Sequence, residues 1–526
     1  MWSRRRFLIL GGSTAACIGA TRNISADIGQ RPWNYDPFTL GVASGAPATD
    51  GFVLWTRLAP NPLSADPAAP GGLRGADIPL RYEVAADPGM SRIVLAGTAL
   101  AEARFGHSVH QIVRGLNPGR EYWYRFRSGD AVSDIGRALT LPAANAAASS
   151  LALGFVSCSN YEQGYFSAYR HLANEHPDFV VYLGDYIYEY VDLSSTDLVR
   201  HHSDGRDASD LMGYRNRYAQ YHLDADLRRL RASCTSLNIW DDHEVANDYG
   251  GLLAQDFSPP EQFRKRRDAA YQAFYEHMPV TPARKPQGAG LRIYDRFRYG
   301  KLAEIHLTDA RQYRSAAPCY GPPDHKPGRM ITNVECPERL QEQRSMLGDV
   351  QEQWLNDGLA RSNAHWNVIA SSVLMAQLRR RDTEGQAIYW TDDWNGYPAA
   401  RARLIRHLHD AKVSNVVLLG GDIHSYWAND LKLDFDDPNS PTVATEFVGT
   451  SISASAPTFD FEAALPENPH VRFFDKTYRG YATLRLEAGL GEVRFRAISD
   501  RRDWRATVST LRTFHIDPQR PGVRPA

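Results

Sequence analysis

Charge of one sign is what this chain most lacks. Its 526 residues carry 60 Lys and Arg against 61 Asp and Glu, a formal net charge of -1. No bulk field draws it to nucleic acid or an anionic membrane, so any recognition of phosphate has to be local. Long apolar runs are also missing. The opening segment, rich in Gly, Ser and Ala, is shorter than the roughly 20 apolar residues that a membrane span needs. No segment repeats at the periods of a solenoid or a propeller. Cysteine is scarce, with 5 in the whole chain.

What is present begins with Ser3-Arg4-Arg5-Arg6-Phe7-Leu8, followed by a weakly apolar stretch that ends near Ala20 or Ala26. This pattern reads as an export signal over residues 1–26, and Ser-Arg-Arg-x-Phe-Leu matches the twin-arginine type, which a general secretory signal rivals. The expected partner is then the twin-arginine export machinery, and the expected location periplasmic or extracellular. Thr14-Ala15-Ala16-Cys17 offers a weaker lipoprotein-type alternative. An oxidising compartment suits a disulfide between Cys319 and Cys336, which flank a loop full of Pro and Gly. Cys234 reads as a buried, inert thiol.

Residues 38–142 hold short alternating runs such as Phe52-Val53-Leu54-Trp55 and Tyr122-Trp123-Tyr124-Arg125-Phe126. Period two with many aromatics predicts a fibronectin-like or immunoglobulin-like β-sandwich. A Pro- and Ala-rich stretch at residues 141–148 reads as a linker. From residue 150 to about 505, apolar strands alternate with amphipathic helices, which predicts an α/β unit followed by a tail at 506–526. Residues 191–222 are polar and weakly periodic, and predict a loop or short helices. His201 and His202 there are metal-type residues in what reads as a solvated loop.

Four apolar runs end in residues able to hold a metal: Ser157-Cys158; Gly184-Asp185-Tyr186-Ile187-Tyr188; Asp241-Asp242-His243-Glu244; and Gly421-Asp422-Ile423-His424. In layered α/β sheets, ligands collect outside the carboxyl ends of the strands. One Asp after a strand is often no more than a helix cap, but four ends of one chemistry predict a single site. A phenol with a pKa of about 10 binds few biological cations. Tyr188 therefore suggests a strongly Lewis-acidic ferric ion, with Asp185 bridging to a second metal.

Ser157-Cys158-Ser159-Asn160-Tyr161-Glu162-Gln163-Gly164-Tyr165-Phe166, Gly184-Asp185-Tyr186-Ile187-Tyr188-Glu189-Tyr190, Trp240 to Tyr249 and Gly421 to His424 strongly resemble the PhoD-type alkaline phosphatases and phosphodiesterases. The resemblance runs from about residue 35 to the end. It implies a calcineurin-like metallophosphoesterase core, a β-sandwich flanked by helices, with a site similar to that of purple acid phosphatases. It implies Fe3+ held by Cys158, Asp185, Tyr188 and His424. Asp242 and Asp422 stand where those enzymes use nitrogen donors, and such hard oxygen donors favour Ca2+, one ion or two. Asn160, Asp241 and Asn247 are further candidates around that ion, and Asn160, Asn247 and Arg311 are candidate substrate contacts. Arg311 has a competing reading as an ion pair with Asp309.

The implied reaction is hydrolysis of phosphomonoesters and phosphodiesters by a metal-activated hydroxide. His243 acts either on the phosphate and its leaving group or as support for a ligand carboxylate. Trp390 to Tyr397 reads as a wall of the cleft or as a packed aromatic cluster. Two rival functions are a phospholipase D-like or teichoic-acid-type diesterase and a non-catalytic surface-binding protein, the latter leaving the four strand ends unexplained.

Overall fold

The computed structural model describes residues 32–193, 196–286, 290–459 and 461–526, and the expected export segment at 1–26 lies outside them. Two large sheets dominate, with few helices, in a mixed α/β arrangement. The seven-stranded sheet has a parallel centre made of Ala303–Leu307, Trp366–Ala370, Val416–Gly420 and Thr442–Val448. Its side chains alternate as period two requires: Val417 and Leu419 enter one apolar core, and Val416 and Leu418 enter another. The second core is closed by Leu355 and Leu359 of the helix Asp349–Arg361 and by Leu404, Ile405 and Leu408 of Pro398–Asp410. The first core is shared with Leu153, Phe155 and Val181 of the other large sheet, so the two sheets bury one face of each strand together.

That other sheet has ten strands. Its centre is again parallel, with Ser150–Val156 beside Phe179–Tyr182 and Phe179–Tyr182 beside Thr235–Asn238. Near the carboxyl ends the sheets meet at a parallel bridge between Ser157 and Ser451. Parallel strands running the same way bring their ends, and the motif residues that follow them, to one rim.

The expected β-rich segment at 38–142 is present, but its strands divide. Ile78–Ala85, Ile93–Ala101, Glu121–Ser128, Ala131–Val132 and Gly136–Leu139 form a separate five-stranded sheet. Val42–Ala48, Gly51–Arg57 and Ser108–Val113 instead extend the ten-stranded sheet, where Ser44 pairs with Thr235. Both groups share a core of Phe52, Leu54 and Val109 with Leu80, Val84 and Tyr124. Residues 506–526, read as a tail, supply two more strands of the ten-stranded sheet, Val508–Asp517 and Arg520–Pro525.

The Cys319–Cys336 disulfide is formed, and Cys234 is free and buried. Residues 191–222 end in the helix Leu211–His222, capped by the Asp210 side chain. His202 is buried with its ring stacked on Tyr161 and Tyr221 and belongs to none of the donor clusters among the described residues, while His201 is exposed. Among the described residues no helix is long and apolar enough to cross a membrane.

Candidate metal centre

The four strand ends converge. Donor atoms of Cys158, Asp185 and His424 lie within 4.8 Å of one another, and so do those of Asp185, Asp241, Asp242 and Asp422. Asp185 belongs to both groups. The Tyr188 hydroxyl donates to Asp185 Oδ2 at 3.2 Å and lies 3.0 Å from His424 Nε2. Cys158, Asp185, Tyr188 and His424 thus form one donor set, and Asp185, Asp242 and Asp422 line the adjoining cleft or its floor.

The backbone is bent to make this happen. Cys158, Asp185, Asp422 and His424 have φ of 60°, 49°, 69° and 52°, a left-handed conformation that non-glycine residues rarely adopt and that concentrates at functional sites. Gly184, with φ of 107°, permits a close approach: a Cβ there would lie 2.5 Å from the Asp241 backbone nitrogen. Glu244 pins the same region. Its carboxylate accepts from the backbone N–H of Asp185 at 3.1 Å, Tyr186 at 2.5 Å and Asp241 at 2.8 Å, tying two strand ends together.

Burial dominates the electrostatics. It pushes the Cys158 thiol and the Tyr188 phenol well above their usual ranges, helped by Asp185. Burial, then Asp242, does the same to the Asp185 carboxyl, and burial, then Asp241, to that of Asp422. Asp241 rises to about 6 and Glu244 to about 7 for the same first reason. Burial lowers the His424 imidazole to about 3, leaving it neutral, as a metal ligand must be. So many buried acids facing one space favour protons only until cations take their place. The donor chemistry fits a metal centre.

His243 lies beside this set. Its ring stacks on Tyr188 at 4.2 Å between centroids, and its Nδ1 lies 2.8 Å from Glu189 Oε2, which leaves the other ring nitrogen for the cleft that His243 lines. Burial works against its charge, but Asp242, Glu189 and Asp185 together raise the imidazole well above its ordinary range. Glu189 also accepts from the Asn247 backbone N–H at 2.9 Å.

Arg311 departs from its expected role. It is fully buried beneath the cleft, with Nε and Nη2 donating to Asp241 at 2.6 and 2.8 Å and Nη1 to Asp392 at 2.6 Å. It is spent on carboxylates and does not face the cleft as a phosphate contact would. Nor is Asp309 its ion-pair partner, since Asp309 accepts the Arg311 backbone N–H. Asp241 in turn has both oxygens engaged by Arg311, whereas Asp242 accepts from backbone N–H groups, those of His243 at 3.0 Å and Asp248 at 2.6 Å, and lines the cleft with Asp185 and Asp422.

Asn160 is buried, with its Oδ1 accepting from the backbone of Glu162 and Gln163, whereas Asn247 lines the cleft. Residues that sequence reasoning assigned no individual site role are Glu189, Glu244, Asp248 and Arg314, and Asp392 entered only as part of the stretch from Trp390 to Tyr397. Asp248 shares a cluster with Asp242 and Asp392, and Arg314 donates to Asp392 Oδ1 at 2.6 Å. Glu189, Glu244 and Asp248 stood inside the quoted motifs, the only signal they gave. Of the stretch from Trp390 to Tyr397, Trp390 lines the cleft while Trp394 and Tyr397 pack in the core, so both readings hold for different residues.

Clustered acid, thiol, phenol and imidazole donors at the carboxyl ends of parallel strands define the class, a metal-binding hydrolase. Residues 153–495 match the PhoD-like phosphatase family, and residues 23–142 match the PhoD-like phosphatase N-terminal domain. The chain is 38% identical to alkaline phosphatase D of Bacillus subtilis (strain 168) over 536 residues, covering 99% of this chain and 89% of that protein. A solved structure of PhoD is similar with a TM-score of 0.88 and 38% identity, covering 94% of this chain and 93% of the other. GAP50, the anchor in the inner membrane complex of Plasmodium, reaches only a TM-score of 0.35 at 12% identity, over 69% of this chain and 89% of its own, too low to carry weight. The chain belongs to the PhoD-like phosphatase family and is a phosphoester hydrolase.

Proposed function

We propose that this protein is an exported alkaline phosphatase acting on phosphomonoesters and phosphodiesters, with Fe3+ at Cys158, Asp185, Tyr188 and His424 and Ca2+ at Asp185, Asp242 and Asp422. The observation that carries this reading is Asp185, shared between a soft-and-phenolic donor set and an all-carboxylate one. Thiolate, phenolate and carboxylate neutralise a trivalent ion, and hard oxygen donors suit calcium better than zinc. When bound, such cations polarise phosphoryl oxygens and lower the pKa of water.

The chain's own residues supply the rest. His243, held by Glu189 through Nδ1, carries its other ring proton toward the cleft and donates it to the oxygen of the departing alcohol. Glu244 keeps Asp185 and Asp241 in register, and Arg311 and Arg314 hold the carboxylates on the floor. Residues 1–26 act as a twin-arginine signal that sends the folded enzyme to the periplasm or beyond. Residues 38–142 are read as a fibronectin-like or immunoglobulin-like module preceding a metallophosphoesterase sandwich, a reading supported by the core shared between the two N-terminal strand groups.

Metal analysis of purified protein tests the assignment: iron and calcium are expected, with a visible charge-transfer band that Tyr188→Phe largely removes. A colourless, fully active zinc enzyme would overturn it.

The pH dependence of stability offers an independent check. In metal-free protein, the carboxyls of Asp241 and Glu244 sit at about 6 and about 7, above the ordinary value near 4. Groups raised on folding contribute stability below their unfolded pKa and lose it as pH climbs through the folded one. The stripped protein is therefore expected to lose thermal stability from pH 5 to pH 8, while added calcium, which needs deprotonated ligands, stabilises more as pH rises. A stripped protein that gains stability across this window would refute the picture. Asp242, Asp392 and Glu189, whose carboxyls are lowered, act below it.

A further inference from the structure

Part of the cleft lining is apolar, built from Leu378, Trp390, Ile423, Pro457, Phe459 and Phe461, with Arg380 and Asp393 among them. Trp390 ends the strand Ala387–Trp390 of a small three-stranded sheet, and its ring meets Phe459 edge-on with centroids 5.6 Å apart. Phe459 leans in turn on Phe461 at 6.0 Å, and Phe461 on the core residue Trp427 at 5.1 Å. The guanidinium of Arg380 stacks over Phe459 and Phe461 at 4.6 and 5.2 Å, which braces the rings. The aromatic wall is thus anchored in the core at one end, yet Trp390 and Phe459 remain only half-buried at the other.

The cleft measures about 400 Å³, within the range of roughly 300–1,000 Å³ usual for small-molecule sites. A phosphoryl group beside Asp185, Asp242, His243 and His424 would leave much of that volume to the rest of the ester. The remaining space faces half-exposed rings set where a flat group completes edge-to-face or offset contacts. Concave apolar surface beside a charged floor is typical of a ligand site.

We propose that this wall is the leaving-group subsite, and that it selects phosphoesters whose organic half carries an aromatic ring, with Trp390 and Phe459 as the specificity-determining residues. The inference rests on the phosphoester hydrolase reading of the same cleft. A polar glycerol-type alcohol leaves these rings wet and gains nothing from them.

The test compares benzylphosphonate with methylphosphonate as competitive inhibitors of the metal-loaded enzyme, alongside hydrolysis of benzyl phosphate and glycerol phosphate. Benzylphosphonate is expected to bind about 10-fold or more tightly than methylphosphonate. Trp390→Ala should bring that ratio toward one, through KM more than kcat for benzyl phosphate, and Trp390→Phe should keep most of it. Phe459→Leu gives a second reading should Trp390→Ala fold poorly. Equal inhibition by the two phosphonates, or a ratio unmoved in both Trp390→Ala and Phe459→Leu, would overturn the subsite while hydrolysis of the esters leaves the enzyme class intact. Absence of hydrolysis and inhibition alike would overturn both.

Discussion

Asp185→Asn is expected to lose bound metal and activity together, whereas His243→Ala keeps its metal and turns over about 100-fold more slowly. The two residues stand close, but their surroundings differ. Among the described residues, Asp185 belongs to three of the four clusters of donor atoms, so its neutral amide weakens the thiol-containing set and the carboxylate set at once. The loss should exceed the roughly 10- to 100-fold seen when only an outer partner of a metal ligand is removed. His243 belongs to one such cluster, but its Nδ1 is held by Glu189 and its ring lies flat on Tyr188. Metal stoichiometry measured beside turnover for both variants separates the roles. A His243→Ala protein that loses iron as Asp185→Asn does would make His243 a ligand or its necessary support.

The second large effect concerns stability. Replacing Arg311 by Met removes the guanidinium that holds Asp241 through two hydrogen bonds and Asp392 through one, all in a fully buried setting. Breaking a buried ion pair from one side typically costs about 3–5 kcal/mol, because the other charge is left without compensation. Arg311→Met should therefore unfold at clearly lower urea concentration. The deficit should be larger at pH 8 than at pH 5, since protonation relieves carboxyls that have lost their cation. Equal deficits at both pH values would mean that packing, and not charge, is what Arg311 supplies.

The strand ends were legible because each is a contiguous signal: an apolar run followed at once by the residues that do chemistry. The rule that parallel strands deliver their ends to one rim gathered these ends into one site, while the grouping of Cys158, Asp185, Tyr188 and His424 as one donor set came from the resemblance to the PhoD-type enzymes. Arg311 was misread because its partners, Asp241 and Asp392, lie 70 and 81 positions away and no local pattern links them. Glu244 was quoted in its motif without a role, since a carboxylate that accepts three backbone N–H groups looks the same in sequence as one that binds a metal. The N-terminal module was drawn as separate for a similar reason. The Pro- and Ala-rich stretch follows the strand Gly136–Leu139 along the chain, but the pairing of Ser44 with Thr235 bypasses that stretch through space.

This strand pairing has a consequence for how the protein comes into being. Val42–Ala48 cannot find its parallel neighbour until Thr235–Asn238 has been synthesised, and Ser150–Val156 waits for Gly480–Glu487 on its other side. Pairings so distant in sequence fold slowly and leave strand edges open in the meantime. The strand that delivers Cys158 is thus flanked on both sides only when nearly the whole polypeptide has left the ribosome. The rim that carries Cys158 is therefore expected to be completed late, and a chain cut short before residue 480 would offer Ser150–Val156 as an open edge to any other strand it met.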